Sequence, residues 1–221
     1  MTGPQQHPDS DKPRFVVVEG PIGVGKTTLT KKLAESFGYD TLLEGAADNP
    51  FLDRFYGDKK QWALQTQLFF LLQRHDQLNA LRQNDLFQPV RVADFLIQKD
   101  KLFASLTLDD DEFVLYEKVY QHLIQSTPKP DLVIYLQAPV DVLQQRIRKR
   151  AIPSEQQISD DYLERLSEAY NRFFLYYDEA PLLMVNTTEI NLAESARDYE
   201  NLLQYILTVR NGRHFFNPTS R

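Results

Sequence analysis

The sequence predicts an α/β fold, a five-stranded parallel sheet with helices on both faces. Three observations carry this expectation. Short β-branched apolar runs alternate with helical stretches along the chain, as parallel strands joined by crossovers require. A strand, a glycine-rich turn and a helix start follow one another without a break across residues 14–28. The chain of 221 residues, 42% hydrophobic, is long enough for one sizeable core.

Taken in order, Phe15, Val16, Val17 and Val18 make the first strand, apolar at every position and so suited to burial on both faces. Leu29, Leu33 and Phe37 recur at helical spacing, and Gly38 is a good stop. Residues 39–43 read as a second strand ending at Glu44, followed by a loop. Asn49-Pro50 opens a short helix through Phe55. Residues 59–82 form a long helix whose middle, 64–72, is apolar on most sides and is expected to be buried. Residues 85–89 break it, and 90–93 form a third strand ending at Asp94. Helices follow over 101–106 and 110–126, then a fourth strand over 131–136. Residues 140–150 are helical, with Asp141 near the start and cations at the end, as the helix dipole favours. A loop (151–159), a Tyr- and Phe-rich helix (160–178), a fifth strand (182–186) and a last helix (192–209) complete the pattern, and 211–221 read as irregular.

Composition removes several classes of function. Lys and Arg number 25 against 31 Asp and Glu, a net charge of −6, which argues against nucleic-acid or anionic-membrane binding. With no cysteine there is no disulfide, thiolate metal site or cysteine nucleophile. His75, His122 and His214 lack metal-ligand spacing. No apolar run approaches the length of a membrane span. Residues 1–13 are polar and proline-bearing, without a signal-peptide core, and read as a disordered tail before one domain over 14–221. A cytoplasmic protein is expected.

The chemistry starts at the glycine-rich turn. Gly20, Gly25, Lys26 and Thr27 fit G-x-x-x-x-G-K-[ST], with Pro21, Ile22, Gly23 and Val24 between and Thr28 following. Glycines let the backbone approach phosphate oxygens, and the loop amides with the helix N-terminus offer positive partial charge. Lys26 can reach the β- and γ-phosphates of ATP, and the Thr27 hydroxyl can ligate Mg²⁺. Ligands of open parallel sheets bind beyond the strands' carboxyl ends, where Glu44 and Asp94 also stand. Two carboxylates beside one phosphate site can divide the roles of Mg²⁺ holder and proton acceptor. Gln67 and Arg74, seven residues or about 700° apart, share a face of the long helix. Spacing alone favours their satisfying each other or nearby backbone, although an amide also suits a nucleobase edge. Arg146 and Arg150, on one face of a helix end, precede a loop containing Glu155 and are placed to neutralise phosphate charge.

The ordered set VEGPIGVGKTT, Glu44 with NPFL and FY, the helix from Trp62 through Gln67 to Arg74, Asp94, Phe103-Ala104, PDLVIYL and RIRKR with Glu155 resembles the deoxynucleoside kinases, most closely their bacterial deoxyadenosine/deoxyguanosine kinase branch, over about residues 14–218. The resemblance implies a P-loop kinase fold with a short arginine-bearing lid. It also implies transfer of the ATP γ-phosphoryl to the 5′-hydroxyl of a deoxynucleoside, a purine by branch, in nucleotide salvage. By the same resemblance Glu44 or Asp94 acts as base, Asp94 with Thr27 holds magnesium, Gln67 and Arg74 contact the base, Phe103 packs on its plane, and Tyr56 and Glu155 contact the sugar. A homodimer is implied as well. Two departures stand out: Phe95 follows Asp94 where arginine is usual, and Ile152 stands where the lid usually has another arginine. The stretch to Phe103 is one residue short, which argues against carrying a base contact over to Asp100. The rivals are a nucleoside monophosphate kinase, which normally needs an arginine after the acidic residue, and a degenerate nucleotide-binding module. A GTPase would show N-K-x-D, which is absent.

Overall fold

The structure, a computed structural model, describes residues 12–84, 91–125 and 127–218. Six strands, β1 (Phe15–Glu19), β2 (Asp40–Leu42), β3 (Arg91–Ala93), β4 (Leu132–Gln137), β5 (Leu182–Asn186) and β6 (Arg213–Phe216), form one sheet in the order β2-β3-β1-β4-β5-β6, every pair parallel. The helices are α1 (Lys26–Phe37), α2 (Leu52–Gly57), α3 (Lys59–Asn84), α4 (Asp100–Thr107), α5 (Asp110–Ile124), α6 (Val140–Arg150), α7 (Asp160–Tyr176) and α8 (Ala196–Ile206). Most of the disordered-tail expectation, the break at 85–89 and the first residue of the expected third strand lie outside the described residues.

Successive strand residues point to opposite faces. Val16, Val17 and Val18, and Leu132 to Leu136, are all buried, so both faces of β1 and β4 are covered. The helix α1 rests on β1 and β3. Tyr135 of β4 stacks on Phe174 of α7 with ring centroids 4.2 Å apart, and on Tyr170 at 5.9 Å. Burying aromatic area this way supplies much of the packing beneath the first and fourth strands.

Two expectations are corrected. The sheet has six strands, not five: β6 lies in the stretch read as irregular and pairs with β5 through Leu182↔Arg213 to Val185↔Phe216. Its four residues alternate exposed and half-buried at the sheet edge, so they carry no continuous apolar run to announce them. The long helix is buried on one stripe and not all round. Ala63, Thr66, Gln67, Leu71, Arg74 and Leu78 face inward at helical spacing, while Leu72 is 47% exposed. Residues 153–157, within the expected loop, form a 3₁₀ turn.

Candidate active site

The phosphate loop leaves the carboxyl end of β1, the strand flanked by β3 on one side and β4 on the other. Its glycines are dictated by space as well as by backbone angle. Gly20 has φ 149°, and a Cβ there would stand 2.5 Å from the Leu136 carbonyl oxygen. At Gly23, with φ 82°, a Cβ would lie 2.9 Å from the Leu143 carbonyl. Pro21 and Val24 are buried and anchor the loop. Gly25 precedes α1 without a capping side chain, so the first-turn amides, including those of Lys26, Thr27 and Thr28, are left to an anion. The Lys26 ammonium donates to the carbonyls of Gly20 at 2.8 Å and Pro21 at 3.3 Å. Desolvation, reinforced by the neighbouring Lys99 charge, lowers its pKa to about 8.

On the β3 side a carboxylate cluster meets the loop. Asp94, one residue past β3, accepts from the Thr27 hydroxyl through Oδ2 and from the Glu44 amide through Oδ1, both at 2.6 Å. Burial raises its pKa, partly offset by the Thr27 hydrogen bond. Glu44, two residues past β2, pairs through Oε1 with Arg74 of α3 and lies 3.6 Å from the Lys99 ammonium. Arg74 pairs in turn with Asp100 at the start of α4. Asp100 is buried, which pushes its pKa up to about 6 against the opposing pull of Arg74 and Lys99. Arg74 Nε and Asp100 Oδ2 are buried without a hydrogen-bond partner among the described residues. Gln67, buried one face-turn before Arg74, donates to the Thr107 hydroxyl at 3.3 Å, and Thr107 in turn donates to the Phe103 carbonyl at 2.8 Å. Gln67 and Arg74 thus satisfy neither each other nor nearby backbone, the reading spacing alone had favoured. Phe103 stands edge-on to Tyr170 at 6.0 Å.

The cluster contains groups that sequence reasoning missed or set aside. Glu19, at the end of β1, is fully buried and accepts from the amides of Gly20 and Leu96 and from the Tyr170 hydroxyl. Lys99, also buried, lies 3.1 Å from Glu19. Asp100, set aside on chain length, is placed against Arg74 after all. Phe95, where an arginine was the expectation, is core, its ring 5.9 Å from the Arg74 guanidinium.

On the β4 and β5 side the loop borders a cavity of about 550 Å³, lined by residues 23–28, by α6 and by residues 187–194 after β5. Arg146 ties these parts together, donating to Thr187 Oγ1 at 3.0 Å, to the Thr187 carbonyl at 2.6 Å, and to the Val24 and Ile190 carbonyls at 3.3 Å. Lys149 adds a pair to Glu194 at 2.6 Å. Arg150 pairs with Glu155 across the turn after α6, and its charge reaches Lys26. Tyr56 of α2 lies near Glu155 and Tyr162, its hydroxyl pKa raised by burial. Ile152 is 38% exposed beside this turn. Residues 187–194 carry no motif, so nothing in the sequence marked them.

The residues fit Mg²⁺. A hydroxyl and a carboxylate oxygen, Thr27 Oγ1 and Asp94 Oδ2, converge to 2.6 Å at the helix N-terminus, and Mg²⁺ is typically held by one or two such hard oxygens together with substrate phosphates.

Three comparisons agree with this geometry. The deoxynucleoside kinase family model matches residues 16–209. The chain is 40% identical over 178 residues to a deoxyguanosine kinase of Bacillus subtilis, covering 79% of this chain and 86% of the relative. It is 31% identical over 207 residues to a deoxyadenosine kinase of Lactobacillus acidophilus, covering 87% and 94%. Its fold matches that of a solved M. mycoides deoxyadenosine kinase with products dCMP and dCDP bound, at TM-score 0.75 and 23% identity over 88% of this chain and all of that one.

Proposed function

The chain belongs to the deoxynucleoside kinase family and phosphorylates a deoxynucleoside with ATP as donor; within that reaction we propose that it takes a purine deoxynucleoside and that the two sides of the phosphate loop divide the substrates. The observation that carries this is the placement of the loop on the central strand, between a 550 Å³ cavity toward β5 and a carboxylate cluster toward β2. ATP enters from the cavity side. The loop amides and Lys26 hold its phosphates, and Arg146 holds the 187–190 segment around the donor. Arg150, paired with Glu155 in the unliganded chain, is the cation that turns toward developing charge.

The deoxynucleoside lies on the other side. Glu44 faces its 5′-hydroxyl and orients or accepts the proton, since both Asp94 oxygens are already engaged by Thr27 and the Glu44 amide. Gln67, Arg74 and Asp100 take the base edge, the unpartnered Arg74 Nε and Asp100 Oδ2 offering a donor and an acceptor. Phe103 covers the base plane, and Tyr56 and Glu155 bound the sugar. Thr27 and Asp94 would hold Mg²⁺, which would supply charge neutralisation for the phosphoryl group in transfer. Binding energy from the base fixes the hydroxyl in line with the γ-phosphorus.

The purine preference follows the names of the relatives, deoxyguanosine first. A homodimer is supported by the exposed apolar side chains Leu72 on α3 and Val114 and Leu115 on α5, helices that pack together. The cytoplasmic assignment is consistent with a chain that has, among its described residues, no helix long and apolar enough to cross a membrane. The test is ATP consumption with Mg²⁺ across dG, dA, dC, dT and the matching monophosphates. Turnover on dG or dA giving a monophosphate supports the proposal. Preference for a pyrimidine refutes the base assignment, and turnover only on monophosphates refutes the acceptor. A monomeric mass by light scattering removes the dimer.

A further inference from the structure

We propose that Lys99 is a positioning residue for phosphoryl transfer, holding the Glu44 carboxylate in place beside the phosphate loop by bridging it to the buried anchor Glu19. The inference rests on the kinase reading of the site. The cluster brings four carboxylates, Glu19, Glu44, Asp94 and Asp100, against three cations, Lys26, Arg74 and Lys99. Removing Lys99 would leave Glu44 with Arg74 alone, and Arg74 is shared with Asp100.

The geometry separates this role from a purely structural ion pair. Glu19 does not need Lys99 to satisfy its oxygens. Oε2 accepts from the Gly20 amide at 2.8 Å and the Tyr170 hydroxyl at 2.9 Å, and Oε1 accepts from the Leu96 amide at 2.8 Å. That carboxylate is fixed by three donors from three segments, so it is a rigid post. The Lys99 ammonium sits 3.1 Å from this post, and its second carboxylate, 3.6 Å away, is Glu44. Its ammonium lies over the Phe103 ring, 5.6 Å from the centroid, a further contact that favours this position. A buried cation bound on one side to an immobile anion holds its other partner in a narrow range of positions.

The groups facing Glu44 are Arg74 from α3, Lys99 from the turn before α4, and Asp94 from the end of β3, with Asp100, Glu19 and Lys26 behind them. Position 95, where resemblance led us to expect a cation, holds core Phe95, and Lys99 brings the charge in from four residues later.

The experiment compares wild type, Lys99→Met and the charge-balanced pair Glu19→Gln/Lys99→Met in steady-state kinetics from pH 5 to 9, with folding checked by circular dichroism. Wild-type turnover reports on the kinase reading itself, and its absence on every deoxynucleoside refutes that reading rather than this proposal. The expected result for either folded variant is a fall in kcat of at least about tenfold with KM for the deoxynucleoside changed less than about threefold. KM for ATP at pH 7 stays within about threefold, because Lys26 is already mostly charged there and the donor cavity is built without Lys99. A kcat within twofold of wild type, or a loss carried by KM instead of kcat, in a folded variant overturns the proposal. The pair removes both charges together and so avoids a lone buried carboxylate if Lys99→Met does not fold. Failure of the pair to fold as well assigns Lys99 to the core and likewise overturns the proposal.

Discussion

Raising the pH from 7 to 9 should weaken ATP binding about tenfold, and the reason lies in one side chain. Lys26 is desolvated within the phosphate loop and repelled by Lys99, so its pKa stands at about 8 instead of 10.5. In the unliganded protein about nine-tenths of Lys26 is charged at pH 7 and about one-tenth at pH 9. If only the ammonium grips phosphate, affinity scales with that fraction, a change of roughly 1.4 kcal/mol. Isothermal titration of Mg·ATP in buffers of different ionisation enthalpy reads both quantities. Affinity should fall about tenfold from pH 7 to 9, and proton uptake on binding should grow from roughly 0.1 to roughly 0.9. Lys26→Arg, whose charge persists throughout this range, should abolish both trends. Lys99→Met should move the midpoint above pH 8 by removing the repelling charge. A flat affinity with no proton uptake would refute the desolvation argument. The same shift has a sign for stability. The folded pKa is depressed, so between about pH 8 and 10.5 the unfolded chain binds more protons than the folded one, and this group's contribution to stability rises with pH there.

The remaining predictions use other parts of the molecule. Gly20→Ala places a methyl 2.5 Å from the Leu136 carbonyl at φ 149°, so it should lower stability by on the order of 2 kcal/mol or more and weaken ATP binding, read by thermal melts with and without nucleotide. Asp94→Asn should lower kcat about a hundredfold or more and raise the Mg²⁺ concentration needed for half-maximal rate, because it removes the charge beside Thr27. Phe174→Ala empties a fully buried site against Tyr135 and should cost about 3–5 kcal/mol in denaturant unfolding. Arg146→Met should raise KM for ATP more than KM for the deoxynucleoside, since its bonds hold the 187–190 segment and the phosphate loop, both bordering the donor cavity.

The legibility of these features in the sequence follows their range along the chain. Phosphate loop, first strand and first helix are local, each residue type being required by its own turn or period, and all three are found where the pattern puts them. Glu44 and Asp94 were readable because strand ends are. The Gln67–Arg74 spacing was readable as a shared helix face, but their partners were not, since Thr107 and Asp100 lie 40 and 26 residues away. Lys99 and Asp100 look like ordinary charges at a helix start, and only the approach of β1, β2 and α3 makes them interior. The sixth strand was invisible for a similar reason: Arg213–Phe216 becomes a strand by pairing with β5 and shows little pattern of its own.

The Glu19 carboxylate, gripped by the backbone on either side of the active centre, has a bearing on how this protein can change. It joins the first residue of the phosphate loop to the turn that carries Lys99 and leads into α4. On the proposed reading of the site, a base that displaced that turn would act on the phosphate loop through this carboxylate and not through the sheet. Coupling of donor and acceptor affinities across this contact would be reciprocal, so a substitution that loosens it would change both affinities' dependence on the other substrate by the same factor. Substitutions in the 187–194 segment, which lines the cavity on the far side of the loop, would leave this contact untouched.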